Sequence, residues 1–256
     1  MDISVVIPLY NEAESLPELT SWIERVMKDN SFSYEIIFVN DGSTDESWEV
    51  INNLATQNPN IHGVSFSRNY GKSPALNTGF ARAQGDVVIT MDADLQDDIN
   101  AIDEMVDRFA EGYEVVYGVR SSRKKDTFFK RTTAQGFYKI MRGMGVDTVY
   151  NHADYRLMSK RAVEALAEYR EVNLFLRGVV PLIGFKTAIV TYERHERFAG
   201  ESKYPLKKML AFAIEGITSF SVKPLRMITW LGIFIFLCSM LMLLYLLLQK
   251  LFGYTV

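Results

Sequence analysis

From Ile3 to Val119 the sequence alternates short apolar runs with amphipathic ones, and few folds accommodate that order. Ile3 to Ile7 is β-type. Ser15 and Glu18 have the spacing of a capping box, and Leu16, Leu19, Trp22, Ile23 and Val26 share one helical face. Tyr34 to Val39 is continuously apolar apart from Glu35, which suits a strand buried on both faces. Ser43 and Glu46 repeat the capping-box spacing before a helix to about Asn58. His62 to Ser67 predicts a third strand. Ser73 followed by Pro74 predicts an N-cap with Pro at the first helical position, and that helix ends near Gly85. Asp86 to Met91 predicts a fourth strand, then a helix to about Glu111, and Tyr113 to Val119 a fifth strand. Strands joined by helices through short connections predict an α/β chain with a mostly parallel, doubly wound sheet. Ligands of such sheets bind outside the carboxyl ends of the strands. Here those ends are Pro8–Glu12, Asn40–Ser43, Ser67–Lys72 and Asp92–Asp97, all polar.

The pattern loosens after Val119. Arg120 to Arg131 holds six basic residues in twelve, and beside a membrane such a face attracts anionic lipid at about 1 kcal/mol per residue. A helix follows over roughly Thr127 to Arg142, then a polar segment, NHADYRLMS. Ser159 caps a helix to about Tyr169, and Lys186 to Tyr192 alternates as a strand. Residues 200–226 mix Lys203, Lys207, Lys208, Lys223 and Arg226 with Leu206, Met209, Leu210, Phe212, Ile214 and Phe220, the composition of helices lying in a membrane interface. Met227 to Leu248 then carries no charge. A helix of that length spans roughly 30 Å, the thickness of a bilayer core. The expected organisation is a catalytic domain over 1–200, amphipathic juxtamembrane helices over 201–226, a transmembrane helix over 227–249 and a short tail over 250–256. Five cations flank the span on its N-terminal side and only Lys250 on the other, which places the N-terminal domain in the cytoplasm. The N-terminus MDISVVIPLYNE lacks the basic start of a signal peptide and reads directly as a strand.

Composition excludes several classes. The chain has 256 residues, is 48% hydrophobic and carries a net charge of −3, so no basic excess points to nucleic acid. One cysteine, Cys238, excludes an internal disulfide framework and a Cys-rich zinc site. His62, His152 and His195 have no metal-ligand spacing and read as structural or surface residues.

Three strand ends carry chemistry. Asp92-Ala93-Asp94 closes the fourth strand, and alternation sends both carboxylates to one side, where Mg²⁺ or Mn²⁺ with substrate phosphates would relieve their repulsion. A solvated acidic turn that caps the next helix gives the same residues. Asn40-Asp41-Gly42-Ser43 closes the second strand, with Asp41 able to accept from a base or ribose; an ordinary strand-to-helix turn reads alike. Pro8-Leu9-Tyr10-Asn11-Glu12 follows the first, with Tyr10 suited to stacking on a base and Glu12 to a ribose hydroxyl.

Taken together, the three resemble the nucleotide-sugar site of family 2 glycosyltransferases of the GT-A fold. The segments SFSRNYGKSPALNTGF, MDADLQDD, HADYRLMS, RFAGESKY and EGITSFSVKPLR, in this order before a membrane helix, are similar to polyprenyl-phosphate glycosyltransferases, the dolichyl-phosphate mannose synthase and bactoprenol glucosyltransferase group. The resemblance covers essentially the whole chain. It implies a Rossmann-like GT-A sheet and an inverting hexosyl transfer from a nucleotide-diphosphate sugar, UDP- or GDP-linked, to a membrane-borne polyprenyl phosphate. Pro8, Tyr10, Glu12, Asp41, Lys72, Asp92, Ala93 and Gln96 would line the donor. Asp92, Asp94 and Gln96 would surround Mg²⁺ or Mn²⁺, with Asp94 the most direct ligand. Asp154 matches the active-site aspartate; base catalysis, holding the metal, orienting a sugar hydroxyl and stabilising oxocarbenium-like charge all remain open for it. Arg120, Arg131, Arg197, Ser202 and Lys203 match groups around the acceptor phosphate. The enzyme would sit in the inner membrane, and homo-oligomerisation is left open. Many bactoprenol-type members continue into a second span; this sequence stops a few residues past one, so either it is a piece of a longer chain or this member spans once.

Three other readings fit less well. A nucleotide-dependent oxidoreductase would need GxGxxG in the first strand-to-helix turn, which is absent. A processive glycan synthase, or another family 2 transferase with a non-lipid acceptor, shares the domain, but processive enzymes carry QxxRW and usually several spans. A membrane-tethered nucleotide-sugar sensor would not need the acceptor motifs.

Overall fold

The computed structural model describes residues 1–121, 152–169, 176–193 and 223–252. The first three segments fall in one compact unit and the fourth in another. In the first unit the strands are β1 (Ile3–Leu9), β2 (Tyr34–Asn40), β3 (Ile61–Ser65), β4 (Val87–Thr90), β5 (Val115–Arg120), β6 (His152–Ser159) and β7 (Thr187–Tyr192). The helices are α1 (Leu16–Asp29), α2 (Ser47–Gln57), α3 (Lys72–Phe80), α4 (Ala101–Ala110), α5 (Lys160–Ala167) and α6 (Leu176–Leu182). They form one seven-stranded sheet in the order β3-β2-β1-β4-β6-β5-β7. All pairings are parallel except those of β6, which runs antiparallel to β4 and β5.

Every residue of β1 is buried, as is β2 beyond its first residue, because helices cover both faces. On one face Val5, Ile7, Ile36, Phe38, Ile89, Tyr155 and Leu157 pack with Leu19, Ile23, Ile51, Ile102 and Met105 of α1, α2 and α4. Burying each of these large side chains contributes about 1.5–3 kcal/mol. On the other face α3 approaches so closely that a Cβ on Gly79 would lie 2.2 Å from Val6 Cγ1. The same face carries one buried polar knot. Ser4 Oγ donates to Glu35 Oε1 at 2.6 Å, the Gln84 amide donates to the same oxygen at 2.7 Å, and the Gly85 amide donates to Ser4 Oγ at 2.8 Å. The knot fixes the turn from α3 into β4 against β1 and β2, and explains the charged residue inside an otherwise apolar strand.

Local expectations are corrected in three places. HADYRLMS, read as a polar segment, is strand β6. Its alternation puts Tyr155 and Leu157 in the core and Asp154 and Arg156 on the opposite face, so charge disguised it. The capping boxes do not form: Ser15 sits at the N-cap of α1, but its hydroxyl donates to the Glu12 carbonyl at 2.9 Å, and α2 starts at Ser47 after Glu46. Gly71, with φ +99°, caps α3 in place of Ser73. The Ser159 cap is as expected: its hydroxyl accepts from the Ala162 amide at 3.0 Å.

The second unit contains α7 (Lys223–Leu251), starting earlier than the expected span. Leu225–Leu251 has 27 residues, and an 18-residue window within it reaches a mean hydropathy of 2.7 and is unburied, so the helix is long and apolar enough to cross a membrane.

The Glu35 knot makes a stability test. Glu35→Ala leaves the Ser4 hydroxyl and the Gln84 amide buried without their acceptor, which costs about 2 kcal/mol or more. Glu35→Gln keeps a carbonyl oxygen and should cost far less. Denaturant unfolding of the full chain in detergent measures both; equal losses would contradict this role for Oε1.

Candidate active site

Strands β1 and β4 are neighbours, and the chain goes on from β1 toward one edge of the sheet (β2) and from β4 toward the other (β5), so the strand order reverses at their carboxyl ends, the topological switch point. The loops after β1 and β2 are stitched together there. The Asn11 amide donates to Ser43 Oγ at 2.9 Å, the Thr44 amide to Asn11 Oδ1 at 2.8 Å, and the Glu12 amide to Ser47 Oγ at 3.0 Å. Tyr10 emerges exposed from this pair of loops and Glu12 is half-buried beside it, whereas Pro8 is buried within β1.

Asp41 is spent mainly on its own chain. Its two carboxylate oxygens accept the Tyr70 and Gly71 amides at 2.7 and 2.9 Å. Burial raises its pKa, and these two amides oppose the rise. Gly42 adopts φ +68°, and a Cβ there would lie 2.3 Å from the Arg68 carbonyl carbon, so only glycine fits where the β3–α3 loop crosses. Asp41 and Gly42 therefore fix the loop that leads into Lys72.

After β4 the alternation is clear. Asp92, Asp94 and Gln96 are half-exposed on one side, while Ala93, Leu95 and Asp97 are buried on the other. The Gln96 amide donates to Asp94 Oδ1 at 3.3 Å, and Leu95 is held at φ +59°. Because β6 is antiparallel to β4, it delivers its amino-terminal half, with Asp154, to the same end of the sheet.

Asp154 gathers three cations. Arg177 Nε and Nη2 donate to its two oxygens at 3.1 Å each, Arg156 Nη2 donates to Oδ1 at 3.0 Å, and Lys72 Nζ lies 2.7 Å from Oδ2. Lys72 also donates to Asp92 Oδ1. Burial opposes the charge on Asp154, but Arg177, Lys72 and Arg156 outweigh it and hold the carboxyl well below the usual range. For Lys72 the balance is the mirror image: burial works against its charge, and Asp154 and Asp92 raise its pKa above the usual lysine value. Burial lowers the affinity of Arg156 for its proton, with Asp154 opposing. Its Nε and Nη1 are buried with no hydrogen-bond partner among the described residues. Three cations face two carboxylates, so the cluster stays net positive and suits an anion such as a phosphate.

A second cluster adjoins it. Buried Asp97 accepts from the Tyr192 hydroxyl, lies 3.5 Å from the Asp92 amide nitrogen and 3.9 Å from Arg120 Nη2. Burial and the Asp92 charge push its pKa up to about 6, against the pull of Tyr192 and Arg120. Asp97 thus ties the Asp92–Asp94 turn to the ends of β5 and β7.

Among the expected site residues, the structure brings together Lys72, Asp92 and Asp154. It places Arg120 against Asp97 and Tyr192. Arg131, Arg197, Ser202 and Lys203 lie outside the described residues, as do the expected helix from Thr127 and the amphipathic stretch 204–222. Arg156, Arg177, Asp97 and Tyr192 were missed. Arg156 had a signal, since it stands two residues after Asp154 in an alternating strand. Arg177 had none, because only the fold brings α6 to β6.

No three His, Cys, Asp or Glu side chains converge on one point among the described residues, so the protein builds no closed metal cage there. Hard divalent cations do not need one, since one or two carboxylates plus substrate phosphates suffice. The lysine ammonium resting on Asp92 and Asp154 is a stand-in cation at this spot. The oxygen donors present fit Mg²⁺ or Mn²⁺.

Asp97 yields a pH test. A carboxyl whose pKa is 3.8 unfolded and about 6 folded adds stability that is complete below the lower value. That contribution is lost as the pH rises through the upper one. With EDTA present, the Tm of the wild type should fall between about pH 4 and about pH 7 more steeply than that of Asp97→Asn. Parallel profiles would contradict the raised pKa.

Known proteins bear on this geometry. The sequence pattern of Glycosyl transferase family 2 matches residues 4–167. A Bacillus subtilis protein named uncharacterized glycosyltransferase YkoT is 48% identical over 261 residues, covering 99% of this chain and 77% of that one. The bactoprenol glucosyl transferase of Shigella phage SfV is 41% identical over 236 residues, covering 92% and 77%. Among solved structures, glucosyl-3-phosphoglycerate synthase from Mycobacterium tuberculosis, crystallised with Mn²⁺, UDP-glucose and glycerol 3-phosphate, superposes with a TM-score of 0.55. It is 19% identical, covers 84% of this chain and 77% of its own, and so shows the fold. With a sheet of this order and this match over most of its length, the chain belongs to glycosyl transferase family 2 and is a hexosyltransferase of the GT-A fold.

Proposed function

We propose that this enzyme moves a hexose from a nucleotide-diphosphate sugar, of the UDP-glucose or GDP-mannose type, to a polyprenyl phosphate with inversion at the anomeric carbon. The observation that carries the reading is the net-positive cluster of Lys72, Arg156 and Arg177 around Asp154, set beside Asp92 at the end of β4. Bactoprenol glucosyl transferases at 40–41% identity support the lipid acceptor.

In this reading Tyr10, Glu12 and Asp41 receive the nucleoside, with Pro8 and Ala93 supplying backbone surface, and Lys72 faces the diphosphate. Asp92, Asp94 and Gln96 would hold Mg²⁺ or Mn²⁺, which would supply positive charge to the leaving diphosphate. A phosphate oxygen of the acceptor forms the new bond to the anomeric carbon while the bond to the diphosphate oxygen breaks and the nucleoside diphosphate departs. The acceptor is already ionised, so no proton must be removed. Asp154, held ionised by its three cations, keeps those cations in place and does not act as a base. Arg177, with 34% of its side chain exposed, joins Arg120, Arg131, Arg197, Ser202 and Lys203 around the acceptor phosphate through charge-assisted hydrogen bonds. Residues 1–200 form the catalytic domain and 201–226 lie at the membrane interface. Residues 227–249 span the inner membrane, with the catalytic domain on the cytoplasmic side, and 250–256 follow as a tail.

A donor screen with a short polyprenyl phosphate and Mn²⁺, read by mass spectrometry, tests the reading. The expected product is a lipid phosphosugar, β-linked by NMR when the donor is α-linked. Asp94→Asn should lower its formation by about a hundredfold or more. Transfer only to a non-lipid acceptor, or full activity in excess EDTA, would refute it.

A further inference from the structure

Lys72 is the first residue of α3, and its ammonium spans two carboxylates, one in the turn after β4 and one in β6: Asp92 Oδ1, and Asp154 Oδ2 at 2.7 Å. The backbone beneath it is anchored, because Asp41 holds the amides of Tyr70 and Gly71. Only the side chain is free to move, and lysine has four rotatable carbons for that movement. The side chains of Lys72 and Asp92 are each 30% exposed, while that of Asp154 is 11% exposed. A divalent cation cannot ligate Asp92 Oδ1 while an ammonium donates to it, since two cations so close repel strongly at a half-buried site. Asp154 keeps Arg156 and Arg177 when Lys72 leaves, and so stays compensated. Among the described residues Lys72 is the one cation in an ion pair with Asp92, with Arg120 acting on it from farther away, so losing Lys72 exposes its charge to a metal.

We propose that Lys72 is a built-in counter-cation whose departure from Asp92 opens the metal site. The partner that draws it away is a nucleoside diphosphate, whose oxygens accept the ammonium. Metal and nucleotide then favour each other's binding beyond their direct contact, because each removes the obstacle to the other. The inference rests on Asp92 being a metal ligand.

Mn²⁺ binding to the full chain in detergent, followed by EPR with and without UDP, tests it. Without UDP, Lys72→Met should bind Mn²⁺ about tenfold more tightly than the wild type. Lys72→Gln, which keeps a hydrogen-bond donor for both carboxylates, guards against misfolding and should shift in the same direction. Lys72→Arg should stay within about threefold of the wild type, because a cation still covers Asp92. Arg177→Met removes a positive charge from beside Asp154 without touching Asp92 and should change the affinity less than Lys72→Met does. Unchanged or weaker binding in both neutral Lys72 variants would overturn the displacement, as would an equal gain in Arg177→Met. A wild type that binds no Mn²⁺ even with UDP would overturn the metal assignment and this inference with it.

Discussion

Three cations share the Asp154 carboxylate, and the rest of the site is arranged around that fact. Burying one carboxylate or one guanidinium alone costs several kcal/mol, so neither Asp154 nor Arg156 is tolerable in the sheet without the other. Their hydrogen bond, at 3.0 Å within one strand, leaves the second carboxylate oxygen to Lys72 of α3 and Arg177 of α6. One side chain thereby joins β6 to helices from distant parts of the chain, and through Lys72 to Asp92 in the turn after neighbouring β4. The result is an ion cluster in which three cations face the carboxylates of Asp154 and Asp92, the charge balance on which the proposed transfer rests.

Strand direction makes this possible. A wholly parallel sheet would bring only carboxyl-terminal strand ends to the switch point, each followed by a loop. Antiparallel β6, inserted between β4 and β5, brings an amino-terminal end there, with Asp154 inside a strand and its backbone carbonyl accepting from the Thr90 hydroxyl. The strand holds Asp154 more firmly than a loop would. The turn after β4 is braced as well, since Asp97 links it to Tyr192 at the end of β7 and lies near Arg120 at the end of β5.

The sequence made the first half of this legible and much of the second half not. Strands β1, β2 and β4 are mostly apolar and bounded by turn residues, so period and length reveal them. Asp92 and Asp94 follow from alternation alone. Strand β6 escaped because it carries Asp154 and Arg156 on its inner face, and a charged pair that cancels across space looks like a surface segment in one dimension. Helix starts shifted because the serines were used elsewhere: Ser43 accepts from Asn11 and Ser47 from Glu12, contacts between loops 32 and 35 residues apart. Arg177 illustrates the general limit. Nothing near it in sequence marks it, and its role appears only when α6 is laid against β6.

The account turns on Asp154 being permanently ionised, a counter-charge for cations and not an acceptor of protons. Specific ¹³C labelling of aspartate carboxyls in the full chain, with the signal assigned by its loss in Asp154→Asn, measures this directly. A carboxylate held by three cations should keep its ionised shift from about pH 8 down to about pH 5. A protonation midpoint for Asp154 inside that range, near where a general base must titrate, would contradict the account.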